Sequence, residues 1–180
     1  ANANAQQANN LLATAESGMS DISDILGRMR ELAVQASTDT LNDEDRDSID
    51  LEFQALGDEI TRIASATEYD DNALLDGNYS GKKLQIGADN DANHQLTLSI
   101  GSVTESGLGL DAIGAVAQVG ASAGASGYVA AVAGHDANVD TVDHARDAIS
   151  GLDGAIDTVN HERSKIGALQ NRLSFTISNL

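Results

Sequence analysis

From residue 139 to residue 180 an apolar side chain returns at every seventh position: Ala145, Leu152, Val159, Ile166, Leu173 and Leu180, seconded by Val142, Ile149, Ile156 and Ile177. A seven-residue repeat held over about five heptads keeps one stripe of a helix turned toward a partner, so this segment is predicted to be one long helix packed lengthwise. It would be about 60 Å long, about twice the width of a compact domain of this size, which makes the molecule a rod. Leu11, Ala15, Met19, Ile22, Ile25, Met29, Leu32 and Ala36 step by four and three in the same way, and no proline interrupts them. The two ends of the sequence are therefore two helices of one bundle. Everything between them leaves the rod and returns.

The first helix is predicted over 1–37, ending at Thr38-Asp39-Thr40, a cluster that favours turns and caps. Asn42 or Asp43 can cap a second helix over 43–67, whose acidic first turn suits the helix dipole. Its stripe is Ile49, Phe53, Leu56, Ile60 and Ile63, and it should run antiparallel to the first across a short turn. Within 68–101 the period changes. Lys83 to Ile86 and Gln95 to Ile100 alternate apolar with polar, and Gly87-Ala88-Asp89-Asn90-Asp91 between them favours a turn, so a small β-hairpin is expected. Residues 102–138 are rich in Gly, Ala and Ser without a sustained period, and read as an exposed connection back to the long helix over 139–180. The expectation is a single mainly α domain, an elongated antiparallel, coiled-coil-like bundle with a small β-hairpin.

Composition sharpens this picture. Aromatic residues are only 3% of the chain, so the core is thin and built from Leu, Ile, Val and Ala. With 28 acidic and 10 basic side chains, the net charge of -18 argues against nucleic acid and against an anionic membrane surface. Such a charge serves solubility or suits a saline medium that screens self-repulsion. Without cysteine there is neither a disulfide nor a thiolate metal site, and no run is long enough for a membrane span. Ala1 to Asn10 reads as the middle of a helix and Asn179-Leu180 stops mid-heptad, so both ends are expected to be cut.

Candidate chemistry is sparse. His94, His135, His144 and His161 have no histidine partner at helical spacing, and a structural reading is expected for each. Asp89, Asp91 and Asn93 open like a calcium loop, but His94 and Ile100 stand where Gly and a bidentate Glu are required, leaving a solvated hairpin turn. Asn78-Tyr79-Ser80 matches the glycosylation pattern, which recurs by chance. No phosphate loop, nucleophile elbow or cofactor motif is present, so neither an enzyme nor a cofactor is expected. One polar feature stands out: Arg28, Arg30 and Glu31 beside Leu32, with Arg28 and Leu32 four apart on one helix face. It is either an ordinary solvated face or a subunit contact anchored by arginine.

At that segment the sequence resembles bacterial flagellin. Met29-Arg30-Glu31-Leu32-Ala33-Val34-Gln35-Ala36 is similar to a flagellin signature, and further blocks agree in order. These are Asp45-Arg46 through Ile49 and Glu52, Glu59-Ile60-Thr61-Arg62-Ile63-Ala64 with Thr67-Glu68-Tyr69, Leu74-Leu75-Asp76-Gly77, Leu84-Gln85-Ile86-Gly87-Ala88, and Gly167 to Leu173. The family commonly has Phe-Asn-Gly where Tyr69-Asp70-Asp71 stands, so a left-handed turn there would fall to Asp71 or Asn72.

The resemblance implies the helical rod of a flagellar filament subunit, extracellular and secreted, polymerising with copies of itself through a non-closing contact for motility. It implies that further terminal helices, and the tail gripped by export chaperones, lie outside this chain. It also implies recognition by the flagellin-sensing Toll-like receptor through Arg28, Leu32 and Glu52, although Gly27 and Met29 depart from common family choices. Arg28, Arg30, Leu32, Glu52 and Arg62 are the expected subunit-contact and receptor residues. The alternatives are a hook-filament junction protein and a monomeric helical binding module.

Overall fold

The computed structural model describes residues 2–86, 95–112 and 138–179. Three helices form the rod: α1 (Asn2–Ala36), α2 (Asp43–Ala66) and α3 (Val142–Asn179). At 38 residues, α3 is about 57 Å long. α1 packs along both of the others, and side-chain bridges give the directions. Arg30 reaches Asp153 at 2.6 Å and Glu16 reaches Arg163 at 2.8 Å, so α1 and α3 are antiparallel. Arg28 meets Glu52, and Gly18 lies against Thr67, so α2 also runs opposite to α1.

The heptad seam is the core. Ala145, Leu152, Val159, Ile166 and Leu173 are buried, while Ile149, Ile156 and Ile177 are half-buried beside them. Leu11, Ala15, Met19, Ile22, Met29, Leu32 and Ala36 face them from α1. Leu26 is fully buried whereas Ile25 is half-buried, so the stripe passes through the position next to the one its spacing suggests. On α2, Phe53 and Ile60 are fully buried. Gly18 is needed where it stands, because a Cβ there would come within 2.7 Å of the Thr67 hydroxyl and 2.9 Å of Leu75.

Local chemistry sets the helix ends. The Asn42 side chain accepts from the Asp45 amide at 2.8 Å, an N-cap. The end of α1 is closed from the far side of the turn. Arg46, buried on α2, donates to the carbonyls of Ala36, Thr38 and Leu41, giving a cation to the negative end of the α1 dipole.

Two small hairpins follow. β1 (Glu68–Tyr69) pairs with β2 (Asn72–Ala73) across Asp70 and Asp71, at φ 53° and 60°. Both central residues are left-handed, as a type I′ turn requires. The sequence reading gave this turn to Asp71 or Asn72. Asp71 does take it, but its companion is Asp70, while Asn72 is in the returning strand and donates its side-chain amide to the Asp70 carbonyl at 2.7 Å. β3 (Lys82–Gln85) and β4 (Gln95–Leu98) are the expected antiparallel pair, with Lys82 opposite Leu98 and Gln85 opposite Gln95. Their turn, with Asp89, Asp91, Asn93 and His94, lies outside the described residues.

The start of the Gly/Ala-rich excursion departs from expectation. Residues 102–112 are not an exposed connection: Val103, Leu108 and Leu110 are buried against the rod, and a 3-10 turn covers Leu110–Ala112. Three apolar residues in a polar stretch are too few to show a period, yet they suffice to anchor it. The Val103 amide donates to the Leu75 carbonyl at 2.9 Å. Residues 113–137, including His135, lie outside the described residues.

Candidate subunit interface

Of the residues singled out from the sequence, Arg28 and Arg30 sit on the two flanks of α1, and Glu52 and Arg62 on α2. Arg28 faces α2, donating through Nε to Glu52 Oε1 at 2.8 Å and through Nη1 to Glu31 at 3.2 Å. These two carboxylates raise its pKa, the Glu52 hydrogen bond most of all. Two residues further on, about 200° around the helix, Arg30 faces α3 and donates to Asp153 at 2.6 Å. Arg62 stays within α2. It makes a bidentate contact to Glu59 at 2.7 and 2.6 Å, and this pairing lowers the Glu59 pKa.

Arg28 and Glu52 thus come together, whereas Arg30 and Arg62 lie apart from them and from each other. Leu32 does not share the outer surface with Arg28. It is 2% exposed, because a residue 40° further round α1 already falls inside the seam. The apolar half of the expected contact anchor is therefore a core residue holding α1 in place beneath the polar cluster.

Three polar residues that the sequence reading did not single out are structurally central. Arg46 bolts the α1–α2 turn as described. Its signal is faint but present: a lone cation in the first turn of a helix opposes the dipole, so it serves something outside its own helix. Asp50, buried on α2, accepts from the Val139 amide and from Gln54 Nε2, both at 2.6 Å. Desolvation raises its pKa more than these bonds lower it, and Asp140 and Asp47 add to the rise. Glu162, buried on α3, accepts from the Gly101 amide at 3.2 Å and from Lys165 at 2.6 Å. Asp50 and Glu162 so hold the returning and departing ends of the excursion.

Chemistry is otherwise thin. Among the described residues no group of His, Cys, Asp or Glu could hold a metal ion, and no helix is long and apolar enough to cross a membrane. His144 pairs with Asp140 at 2.5 Å and His161 is exposed. Asn78 is drawn into a turn by both oxygens of Asp76, at 2.9 and 2.8 Å. An open groove of about 390 Å³ lies between the start of α1 and the hairpins, lined by Asn4, Gln7, Leu11, Tyr69, Tyr79 and Lys83 among others.

The described residues form a long, thin helical rod with ion-paired flanks. Residues 1–80 match the family model described as the bacterial flagellin N-terminal helical region. Flagellin B of Vibrio cholerae is 40% identical over 100 residues, which span 56% of this chain and 26% of that protein. A flagellin of Clostridium tyrobutyricum is 46% identical over 99 residues, 55% of this chain and 26% of its own length. The crystal structure of Bacillus cereus flagellin superposes with a TM-score of 0.76 and 31% identity, covering all of this chain and 89% of that one. The structure of FliC from Burkholderia pseudomallei has the same fold, with a TM-score of 0.72 at 20% identity over 92% of this chain and 99% of that one. The chain belongs to the bacterial flagellin family, whose fold is structural rather than enzymatic. It spans about a quarter of the length of the curated relatives it matches.

Proposed function

We propose that this chain is the rod of a structural subunit of the extracellular flagellar filament, polymerising with copies of itself into a helical, torque-transmitting tube. The observation that carries the reading is the rod itself. Two distant parts of the sequence close on one another along about 57 Å, a shape suited to side-by-side, non-closing contact. The Arg28, Glu31 and Glu52 cluster, paired and outward, serves as one polar contact, with Leu32 positioning it from inside.

The same cluster is the proposed docking point for the flagellin-sensing Toll-like receptor. Arg28 and Glu52 would be reached in the monomer and covered in the filament. The test is incubation of the full-length protein with short filament seeds, followed by electron microscopy. Long filaments are expected. A folded protein that fails to extend seeds would instead fit a hook-filament junction protein or a monomeric binding module.

A further inference from the structure

Glycine follows an aspartate at two steps of the chain, Asp76-Gly77 and Asp153-Gly154, and follows no asparagine. At such a step the glycine amide nitrogen, unshielded by a side chain, can attack the carboxyl carbon of the aspartate before it. The N–Cγ bond forms, the Cγ–OH bond breaks, and the amide proton leaves with the hydroxyl as water. Solvent water then opens the cyclic imide at either carbonyl, returning aspartate or leaving isoaspartate, whose main chain runs through Cβ and Cγ and is one methylene longer. The reaction needs a neutral carboxyl and a side chain free to swing over the following amide.

The fold treats the two steps differently. Asp153 lies inside α3, where Cβ tilts toward the helix N-terminus and away from the next amide, and Arg30 holds its carboxylate at 2.6 Å. Asp76 is half-buried in a loop between the two hairpins, with no helix to set its side chain. Its glycine cannot be exchanged, because Gly77 has φ 88° and a Cβ on it would stand 2.9 Å from that of Ser102. The labile pair is thus imposed by the turn, and its restraint comes from Asn78. The Asn78 backbone amide donates to Asp76 Oδ1 at 2.9 Å and the side-chain amide to Oδ2 at 2.8 Å, which occupies both oxygens. These bonds, the backbone one first, also hold the carboxyl below its ordinary range and so in the ionised, unreactive form.

We propose that Asp76 is the rod's site of spontaneous isoaspartate formation and that Asn78, which grips both carboxylate oxygens, sets its rate. The chain is pinned on either side of it. Leu75 is fully buried and its carbonyl accepts the Val103 amide at 2.9 Å, while Gly77 lies against Ser102. A methylene added between these anchors displaces one of them, so isomerisation loosens the hold of the rod on residues 102–112.

The test is to age the full-length protein in warm, mildly acidic buffer, folded and in guanidinium, and to locate isoaspartate by peptide mapping with mass spectrometry. In guanidinium both steps are expected to isomerise at similar rates. In the folded parent Asp153 should be silent, and Asp76 measurable but slower than in guanidinium. Asn78→Ala, at an exposed position, removes the side-chain donor and should speed Asp76 about threefold or more while Asp153 stays silent. Aged chains should also exchange the Val103 amide faster than fresh ones. Asp76 reacting as fast when folded as in guanidinium, or no faster in Asn78→Ala than in the parent, would overturn the role of Asn78. A rise at both steps in that variant would overturn it too, since the whole rod would then be opening. Folded Asp153 isomerising as fast as Asp76 would overturn the choice of site.

Discussion

The carboxylate of Asp50 on α2 accepts the amide of Val139 at 2.6 Å, joining two residues 89 apart in sequence just before α3 begins. Asp50→Ala leaves that buried amide unpaired and should destabilise the rod by about 1–3 kcal/mol in urea unfolding. Asp50→Asn keeps an acceptor and should lose less.

The same residue gives a signed pH dependence. Burial raises the folded Asp50 pKa above its ordinary 3.8, so the folded state keeps a proton that the unfolded state has released. Its contribution to stability is full below the unfolded value and is lost as pH rises through the folded one. The stability advantage of the parent over Asp50→Asn, measured by urea midpoints, should therefore widen as pH falls from neutrality toward 3.8. A difference independent of pH would contradict the burial of this carboxylate.

Arg46→Met removes the donor shared by the carbonyls of Ala36, Thr38 and Leu41. A loss of about 2–3 kcal/mol is expected, since hydrogen bonds from a charged group to buried acceptors are among the stronger ones. Arg46→Lys should recover only part of it, because an ammonium lacks the planar fork that spans three acceptors.

Val159 is fully buried in the α3 seam. Val159→Asp places an unpaired charge there and should lower stability by about 3 kcal/mol or more, whereas Asn160→Asp at the exposed neighbouring position should leave the melting curve close to that of the parent. Equal effects would contradict the seam.

Asp71 holds a left-handed backbone at φ 60°, where an L side chain is strained. Asp71→Gly, with Asp70→Asn, supplies the preferred type I′ pair and should raise stability by about 1 kcal/mol, read from thermal unfolding.

Periodicity made the rod legible, because heptad spacing in α3 and four-three spacing in α1 are direct records of burial. The strands of the second hairpin were legible for the same reason, through alternation at Leu84, Leu96 and Leu98. What escaped was set by tertiary contact. Leu108 and Leu110 look like loop residues until the rod beneath them is known, and Asp50 and Glu162 look like solvated helix acids until Val139 and Gly101 arrive beside them. Leu32 was misplaced because helical spacing gives its angle to Arg28 but not where the seam ends. The Arg28 to Glu52 pairing needs the register of α1 on α2, and the resemblance supplied Glu52 where the bare sequence did not.

The central claim is that this rod builds a filament, and electron cryomicroscopy of polymer grown from the full-length protein tests it most directly. The account predicts a helical tube in which each subunit keeps the three-helix rod and the Arg28 and Glu52 pair is covered by neighbouring copies. A closed ring, or a polymer with that pair facing solvent, would contradict it.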